Sequence, residues 1–277
     1  MRHNPRTEAI VSILSRKRSV KVQELKERLG VSEVTIRKDL DLLEGEGIIQ
    51  RTHGGAVMAQ DYAGMRPIAA REGASGAEKE AIARAARALV TEGETIYIDA
   101  GTTCHMLASE LRDFELRVVT NSLDVVNELA DAENILLHVL GGSYRREARS
   151  FIGPNAVGEL ENININTCFI GATGFLEDGS FSSQNTIEAH LKRQALKVSR
   201  RRVILADATK YGVSAFSIFA RADEVDILVT DPRFTDASKL EAKGIEVIVA
   251  PLQQLAVLGE ARSESAIGSA ASGRMEK

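Results

Sequence analysis

The sequence predicts an α/β protein with two domains: three helices and a small β-wing, then a larger domain with a mostly parallel sheet. Two observations predict this fold. Residues 6–57 contain two amphipathic helical segments, then a glycine turn, a third helical segment with an N-cap residue, and a short predicted strand. From Thr95 onward, short apolar runs alternate with helical segments, which is typical of a parallel sheet covered on both faces.

The first two helices are predicted by apolar residues at helical spacing. These residues are Ile10, Ile13 and Leu14 in the first helix, and Val22, Leu25 and Leu29 in the second. Gly30 ends the second helix, and the turn through Val31 leads directly to Ser32. Two helices, a short glycine turn and a capped helix are the order of a helix-turn-helix motif.

The third helix has two distinct faces. Ser32 is its natural N-cap, and Glu33 lies in the first turn, where a carboxylate suits the positive helix end. The inner face carries Ile36, Leu40 and Leu43, and the outer face carries Val34, Arg37, Lys38 and Asp41. Adjacent cations on an outer face suit contacts to DNA phosphates and guanine edges. An ordinary solvated helix also has a charged outer face, so this pattern alone leaves both interpretations open.

A β-wing is predicted after this helix. Gly45 and Gly47 end the helix, residues 48–51 form a strand, and Thr52-His53-Gly54-Gly55 forms a tight tip. We therefore expect a winged helix-turn-helix domain at residues 1–58. This part carries 11 Lys and Arg against 8 Asp and Glu, whereas the remainder carries 24 against 31. The positive balance is modest, so we expect useful DNA affinity to require an oligomer.

Residues 6–57 resemble the N-terminal domain of the DeoR family of bacterial transcriptional regulators. The stretches V-S-E-V-T-I-R-K-D-L-D-L-L-E and R-T-H-G-G-A carry the resemblance. It implies DNA binding through Ser32, Thr35, Arg37, Lys38, Arg51, Thr52 and His53. Lys38 stands where the family often has a second arginine, and lysine lacks the guanidinium fork. Bidentate base reading is therefore assigned to Arg37.

Composition limits the class of protein. The sequence has no run of about 18 apolar residues, and no apolar stretch follows Met1, so we expect neither a membrane span nor a secretory signal. Its 2 cysteines, Cys104 and Cys168, lie far apart, which argues against a disulfide framework and suits a reducing cytoplasm. The histidines and cysteines lack metal-ligand spacing, and we expect neither a metal nor a cofactor.

The rest of the chain divides into three parts. Residues 59–76 are predicted to be a linker, residues 77–252 a second domain, and residues 253–277 a disordered tail without apolar periodicity. Short strands are predicted at 95–98, 116–120, 135–140, 168–170, 203–205, 225–230 and 246–249. Helices are predicted at 78–90, 154–160 and 186–199, and two further helices are predicted to end at residues 111 and 130.

Small polar residues follow several of these strands, where an open α/β sheet binds its ligands. Asp99-Ala100-Gly101-Thr102-Thr103 follows the first strand and begins a helix, an arrangement that can bind an anion. Asn121, Gly171, Asp207 and Lys210 follow later strands. Each such turn is also compatible with a plain helix cap. Together, they favour a small phosphorylated ligand. Glu188 and Lys192, spaced i and i+4, are either a helix-stabilising pair or part of this site.

Residues 77–250 are similar to the DeoR-family sensor domain, whose fold resembles ribose-5-phosphate isomerase. The matching stretches are I-D-A-G-T-T, V-V-T-N-S-L, L-G-G, F-I-G-A-T-G, E-A-H-L-K-R and A-D-A-T-K-Y-G. The resemblance implies that Asp99, Gly101, Thr102 and Thr103 hold a sugar phosphate, and that Asn121, Lys192, Asp207 and Lys210 line the rest of the site. Relatives often have Ser and Phe where this chain has Thr209 and Tyr211, a difference that bears on the choice of ligand.

The resemblance implies a homodimeric or homotetrameric regulator that binds double-stranded operator DNA. The first hypothesis is a repressor of carbohydrate-metabolism genes that a phosphorylated sugar releases from DNA. An activator with the same architecture remains open. A sugar-phosphate isomerase is the alternative from another class, with Asp99, Glu188 and Asp207 as conceivable bases. The sequence lacks an acidic D-G-A-D-E cluster and the K-G-G-G turn of those enzymes. We therefore expect no enzymatic activity and no catalytic residues.

Overall fold

The computed structural model describes residues 5–17, 19–45, 49–52, 54–58 and 75–252. His53, the tail at 253–277 and residues 59–74 of the predicted linker lie outside the described residues. The described residues form a helical unit with a small antiparallel sheet and a larger α/β unit.

The N-terminal unit has the predicted order of helices. Its elements are α1 (Pro5–Lys17), β1 (Ser19–Lys21), α2 (Val22–Leu29), α3 (Glu33–Gly45), β2 (Ile49–Thr52) and β3 (Gly55–Met58). Most predicted inner residues form the core, since Ile10, Leu14, Val22, Leu25, Ile36, Leu40 and Leu43 are at most 3% exposed. Ile13 and Leu29 are only partly buried and pack against this core. Gly30 has φ of 65°, a left-handed conformation that ends α2 at low cost for glycine.

The wing strands pair antiparallel in the order β1-β3-β2. A Cβ atom at residue 55 would lie 2.2 Å from the Val20 carbonyl oxygen, so glycine is required where β3 meets β1. The Val22 N–H also donates to the Gly54 carbonyl at 2.9 Å. These contacts join the wing to the start of α2.

The α/β unit contains the remaining strands and helices. Its strands are β4 (Thr95–Ile98), β5 (Leu116–Thr120), β6 (Ile135–Val139), β7 (Ser143–Arg145), β8 (Ser150–Ile152), β9 (Ile165–Gly171), β10 (Gly174–Phe175), β11 (Phe181–Ser183), β12 (Ser199–Leu205), β13 (Ser217–Ala220), β14 (Ile227–Thr230) and β15 (Glu246–Val249). Its helices are α4 (Gly76–Arg87), α5 (Thr102–Glu110), α6 (Leu123–Leu129), α7 (Pro154–Leu160), α8 (Thr186–Val198) and α9 (Ala237–Glu241).

Seven strands form one parallel sheet in the order β15-β14-β12-β9-β4-β5-β6. Side chains alternate across it, so that Ile96 and Ile98 of β4 belong to one buried cluster and Tyr97 to the other. Helices α4 and α5 contribute to the first cluster, and α7 and α8 contribute to the second. Burial on both faces explains the nearly continuous apolar strands.

All seven predicted strands of this sheet are present, although their bounds differ. Strand β9 begins at Ile165 and β12 at Ser199, earlier than the apolar pattern indicates, because Asn166, Thr167 and the arginines after Ser199 interrupt that pattern. The sequence pattern does not predict the β7–β8 hairpin or the antiparallel sheet β10-β11-β13. These strands have two to four residues, too few to display a period.

Candidate nucleic-acid interface and effector site

The outer face of α3 is exposed, as the helical spacing predicts. Val34 is 64% exposed, and Arg37, Lys38 and Asp41 are also exposed. Lys38 makes no ion pair with a described residue. The helix therefore presents an apolar group and two cations on the side opposite the core.

Ser32 caps α3, as its position predicts. The Thr35 N–H donates to Ser32 Oγ at 3.3 Å, and the two hydroxyl oxygens lie 2.9 Å apart. Arg37 Nε and Nη2 donate to Glu33 Oε1 at 3.0 and 2.6 Å. This contact lowers the pKa of the Glu33 carboxyl, chiefly through the hydrogen bond from Arg37. Glu33 thus holds the Arg37 guanidinium along the exposed helix surface.

Arg51 of β2 contacts the same helix. Its Nη1 donates to Asp41 Oδ1 at 2.9 Å and to the Arg37 carbonyl at 3.3 Å. Thr52, at the end of β2, is exposed, and His53 lies outside the described residues. Arg6 of α1 donates two hydrogen bonds to Asp39, which is 8% exposed. Arginines from α1 and β2 therefore both bind side chains of α3.

The second candidate site lies where the order of the large sheet reverses. After β4, the chain proceeds outward through β5 and β6, and then returns to place β9 on the other side of β4. The carboxyl ends of β4 and β9 therefore flank a switch point, which is where open α/β sheets bind ligands. Asp99 follows β4 and Gly171 ends β9, so the sequence places two predicted residues at this point.

Lys192 reaches this point from α8. Its ammonium forms an ion pair with Asp99 and donates to the Gly171 carbonyl at 2.9 Å. The Gly171 N–H in turn donates to Asp99 Oδ2 at 3.2 Å. The side chains of Lys192 and Asp99 are 10% and 4% exposed, so both charges are largely shielded from water. Lys192 also lies 5.5 Å from the centre of the Phe219 ring.

The first turn of α5 lies beside this ion pair. Gly101 is its N-cap residue with φ of 148° and ψ of 159°, a conformation that favours glycine, and no side chain caps the helix. Thr102 and Thr103 are 8% and 9% exposed, yet their hydroxyls make no hydrogen bond within the described residues. First-turn amides also lack partners inside a helix. This turn can therefore donate several hydrogen bonds to an anion.

Glu188 and Lys192 do not pair with each other, so the helix-stabilising interpretation is wrong. Glu188 instead accepts from Arg145 Nη1 at 2.7 Å and from Ser183 Oγ at 3.0 Å. Arg145 belongs to the β7–β8 hairpin, which the sequence does not predict. Helix α8 thus uses Lys192 to contact the switch point and Glu188 to hold the hairpin.

Asn121 holds the other side of this hairpin. Its main chain and side chain both bond to Phe151, and its Oδ1 accepts from the Tyr97 hydroxyl at 3.0 Å. Burial is the main cause that raises the pKa of this tyrosine. Ser122 caps α6 at the Val125 N–H. Asn121 therefore lies at the predicted edge of the sheet, with contacts that position neighbouring elements.

Asp207 and Lys210 lie after β12, farther along the same edge. Asp207 Oδ1 accepts from the Thr209 N–H at 3.0 Å and from its hydroxyl, which makes Asp207 the cap of a short 3₁₀ helix. Within the described residues, Asp207 makes no hydrogen bond or ion pair with Asp99 or Lys192. Lys210 is half-buried. Contacts thus unite Asp99, Gly171 and Lys192, and leave Asp207 in a separate local cluster.

Lys79 is a buried charged residue that the sequence interpretation misses. It is 4% exposed on α4, and its side chain is not without an interaction partner. Its spacing from Ile82 and Ala86, i+3 and i+7, places it on the buried face of the helix and provides a signal that could have identified it. The adjacent Glu78 forms an ion pair with Arg233 at 3.1 Å, just beyond β14.

Other features of the described residues lie apart from this site. A groove of about 480 Å³ lies between α7 and α8, and its lining includes Pro154, Ile187 and His190 but none of the predicted effector residues. Residues 5–58 and 75–252, where described, contain no cluster of acidic, histidine or cysteine side chains suited to a metal ion. Among the described helices, none is long and apolar enough to span a membrane.

Comparisons with known proteins match both units. Residues 6–61 match the family described as DeoR-like helix-turn-helix domain, and residues 75–232 match the DeoR C terminal sensor domain. The transcriptional regulator YulB of Bacillus subtilis is 37% identical over 90% of this chain and 97% of its own. The transcriptional repressor AccR of Agrobacterium fabrum is 34% identical over 80% of this chain and 87% of its own. The lactose phosphotransferase system repressor of Streptococcus mutans is 32% identical over 90% and 100%, respectively.

Among solved structures, the ribose 5-phosphate isomerase A of Methanocaldococcus jannaschii is similar at a TM-score of 0.38 and 16% identity. The match covers 50% of this chain and 55% of the isomerase. A likeness at this level carries no argument about activity.

Proposed function

The chain belongs to the DeoR family of transcriptional regulators, and from that premise we propose that it represses carbohydrate-metabolism genes until a phosphorylated sugar releases it from operator DNA. The relatives named above as repressors support the sign of regulation. The lactose phosphotransferase system repressor also supports a carbohydrate effector. Residues 1–58 are the proposed DNA-binding domain and residues 77–252 the proposed sensor domain, with a linker at 59–76.

One observation carries the DNA half of this proposal. The face of α3 opposite the core leaves Val34, Arg37 and Lys38 exposed. A helix in the major groove needs side chains of these kinds, because cations contact phosphates and guanine edges while apolar groups contact thymine methyls. The Ser32 cap fixes the N-terminal turn, which enters the groove first in this class of domain.

The first turn of α5 supports the effector half. The Thr102 and Thr103 hydroxyls and the first-turn amides provide donors for the three terminal oxygens of a phosphate. Lys192 supplies positive charge at the same switch point, and Asp99 orients its ammonium. We assign Asp99 to this positioning role, because its carboxylate is shielded and a direct contact with a phosphate would be repulsive.

The same contacts argue against the isomerase alternative. An isomerase needs a carboxylate or another base free to take a proton from its substrate. Asp99 is bonded to Lys192, Glu188 is bonded to Arg145, and Asp207 caps its own turn. The relatives are transcriptional regulators, in agreement with a sensor that binds its ligand without turnover. We place this regulator in the cytoplasm as a homodimer or homotetramer.

The DNA half is tested by fluorescence anisotropy with DNA from the promoter region of the protein's own gene. Arg37→Ala should weaken operator binding by about 1–3 kcal/mol and relax base preference, because bidentate base contacts have that magnitude. The matched control is Arg84→Ala on α4, since Arg84 pairs with Glu80 at the same i, i+4 spacing. Equal affinities for the wild type and Arg37→Ala would remove Arg37 from the reading face.

A further inference from the structure

We propose that Asp41 and Arg51 act as a pair of positioning residues, which fixes the wing against the recognition helix α3, and that Arg51 does not itself contact DNA. The inference rests on the proposed function, in which α3 reads the operator. It changes the role that the family resemblance implies for Arg51, and it gives a role to Asp41, to which the resemblance assigns none.

The contacts of Arg51 converge on one helix. Its Nη1 donates to Asp41 Oδ1 at 2.9 Å and to the Arg37 carbonyl at 3.3 Å. Its main-chain N–H donates to Glu44 Oε1 at 2.9 Å. A single residue of β2 therefore contacts three residues of α3, including the residue assigned to base reading. The Arg51 side chain is 21% exposed, compared with 51% for Arg37.

An acidic side chain at position 41 is unfavourable on a face that meets DNA, and its contact with Arg51 explains its presence there. Its side chain is 67% exposed, and an exposed carboxylate beside a DNA backbone reduces affinity by repulsion. Lys38, one turn away on the same face, makes no ion pair with a described residue. The face thus contains two exposed cations, Arg37 and Lys38, and one acidic group that is paired with the wing.

The position of the wing follows from these contacts. Arg51 is paired with Ala56 of β3, and β3 is in turn paired with β1. At the other end, the Gly54 carbonyl accepts from the Val22 N–H of α2. The Asp41–Arg51 contact therefore closes a loop of contacts from α2 through the wing to α3. Without this contact, the polar bonds that join β2 to α3 among the described residues are the Glu44 bond to the Arg51 main chain and the longer bond from Arg51 to the Arg37 carbonyl.

A direct phosphate contact by Arg51 predicts a different outcome for the Asp41 variant. If Arg51 bound phosphate, removal of Asp41 would free the guanidinium and delete a repulsive charge, so binding would become tighter. If the pair positions the wing, removal of either partner weakens binding. The two explanations therefore differ in the sign of one measurement.

The test is a double-mutant cycle on the full chain with promoter DNA, measured by anisotropy at several salt concentrations. Asp41→Ala and Arg51→Ala should each weaken binding by about 5- to 30-fold, and the double variant should be no weaker than Arg51→Ala. The slope of log affinity against log salt should stay unchanged in Arg51→Ala. Lys38→Ala is the control for a phosphate contact and should lower that slope by about 0.9 for each protomer bound to the DNA.

Unchanged or tighter binding by Asp41→Ala would overturn the inference, as would a slope in Arg51→Ala lowered as in Lys38→Ala. The proposed function would stand in both cases, because the wild type would still bind. No binding of promoter DNA by the wild type would remove the proposed function and the inference with it. If thermal unfolding shows that Arg51→Ala is not folded, Asp41→Asn carries the test: weaker binding supports the inference and tighter binding overturns it.

Discussion

Replacement of Lys192 with methionine should lower the free energy of unfolding of the sensor domain by about 3–5 kcal/mol, the cost of removing one partner from a buried ion pair. The size of this loss follows from the contacts that the Asp99 carboxylate would keep. Asp99, whose side chain is 4% exposed, would retain the Gly171 N–H at 3.2 Å as a hydrogen-bond donor. Methionine keeps most of the apolar length of lysine, so the packing against Phe219 changes little.

Removal of both charges should cost less than removal of one. Lys192→Met combined with Asp99→Asn leaves neither an ammonium nor a carboxylate to be desolvated, so we expect it to recover more than half of the loss. This recovery separates the electrostatic cost from a cavity, because the double variant keeps the same methionine.

The assay is urea-induced unfolding of the full chain, with thiol labelling as the measure of unfolding. Cys104 and Cys168 both lie in the sensor domain and are buried, so their labelling reports the unfolding of this domain. Stability of Lys192→Met within 1 kcal/mol of the wild type would refute the reasoning. A double variant that loses the sum of the two single losses would refute it as well.

Three further predictions follow from other contacts. Thr102→Val should leave DNA affinity unchanged but abolish release by the effector, with Thr102→Ser as the control that keeps the hydroxyl; a normal response of the valine variant would exclude the phosphate contact. Cys104 and Cys168 should resist thiol reagents at pH 8 in the folded protein, because burial raises both pKa values, that of Cys168 to about 12; rapid labelling would contradict this. Asp226→Asn should cost about 1 kcal/mol at pH 7, since the Asp226 side chain is 36% exposed and its ion pair is partly screened. The Arg202 hydrogen bond lowers the pKa of Asp226 from its ordinary 3.8, so this contribution exists above that pH and disappears as pH falls below it; a difference that persists at pH 2 would argue against the ion pair.

Much of the fold could be predicted from the spacing of apolar residues and from the glycine and capping residues that bound the elements. The inner residues of α3, spaced i, i+4 and i+7, are all fully buried, and Gly30 has the left-handed conformation that its position indicates. The strands of the large sheet are recognisable because both faces are covered, which makes them continuous apolar runs. The hairpin β7–β8 has no such pattern, since one of its strands reads Ser-Tyr-Arg.

The sequence predicts less well which residues the charged side chains contact. The spacing of Glu188 and Lys192 is compatible with a local pair, yet each reaches a different element. Only the strand order brings Asp99 within reach of α8, and that order depends on the distant pairing of β4 with β9, in which Ile96 lies opposite Thr167. Likewise, Arg51 has the residue type of a DNA contact, and its position against Asp41 appears only when the wing is placed against the helix.

The proposed repressor binds operator DNA and releases it when a phosphorylated sugar occupies the sensor domain. The most direct measurement is anisotropy of the full chain on its own promoter DNA, titrated with sugar phosphates and with the same sugars without phosphate. We predict that one phosphorylated compound weakens DNA binding by about 5- to 150-fold and that its unphosphorylated form has no effect. Release by both forms, or by the phosphorylated form in the Thr102→Val variant, would contradict recognition of a phosphate by the first turn of α5.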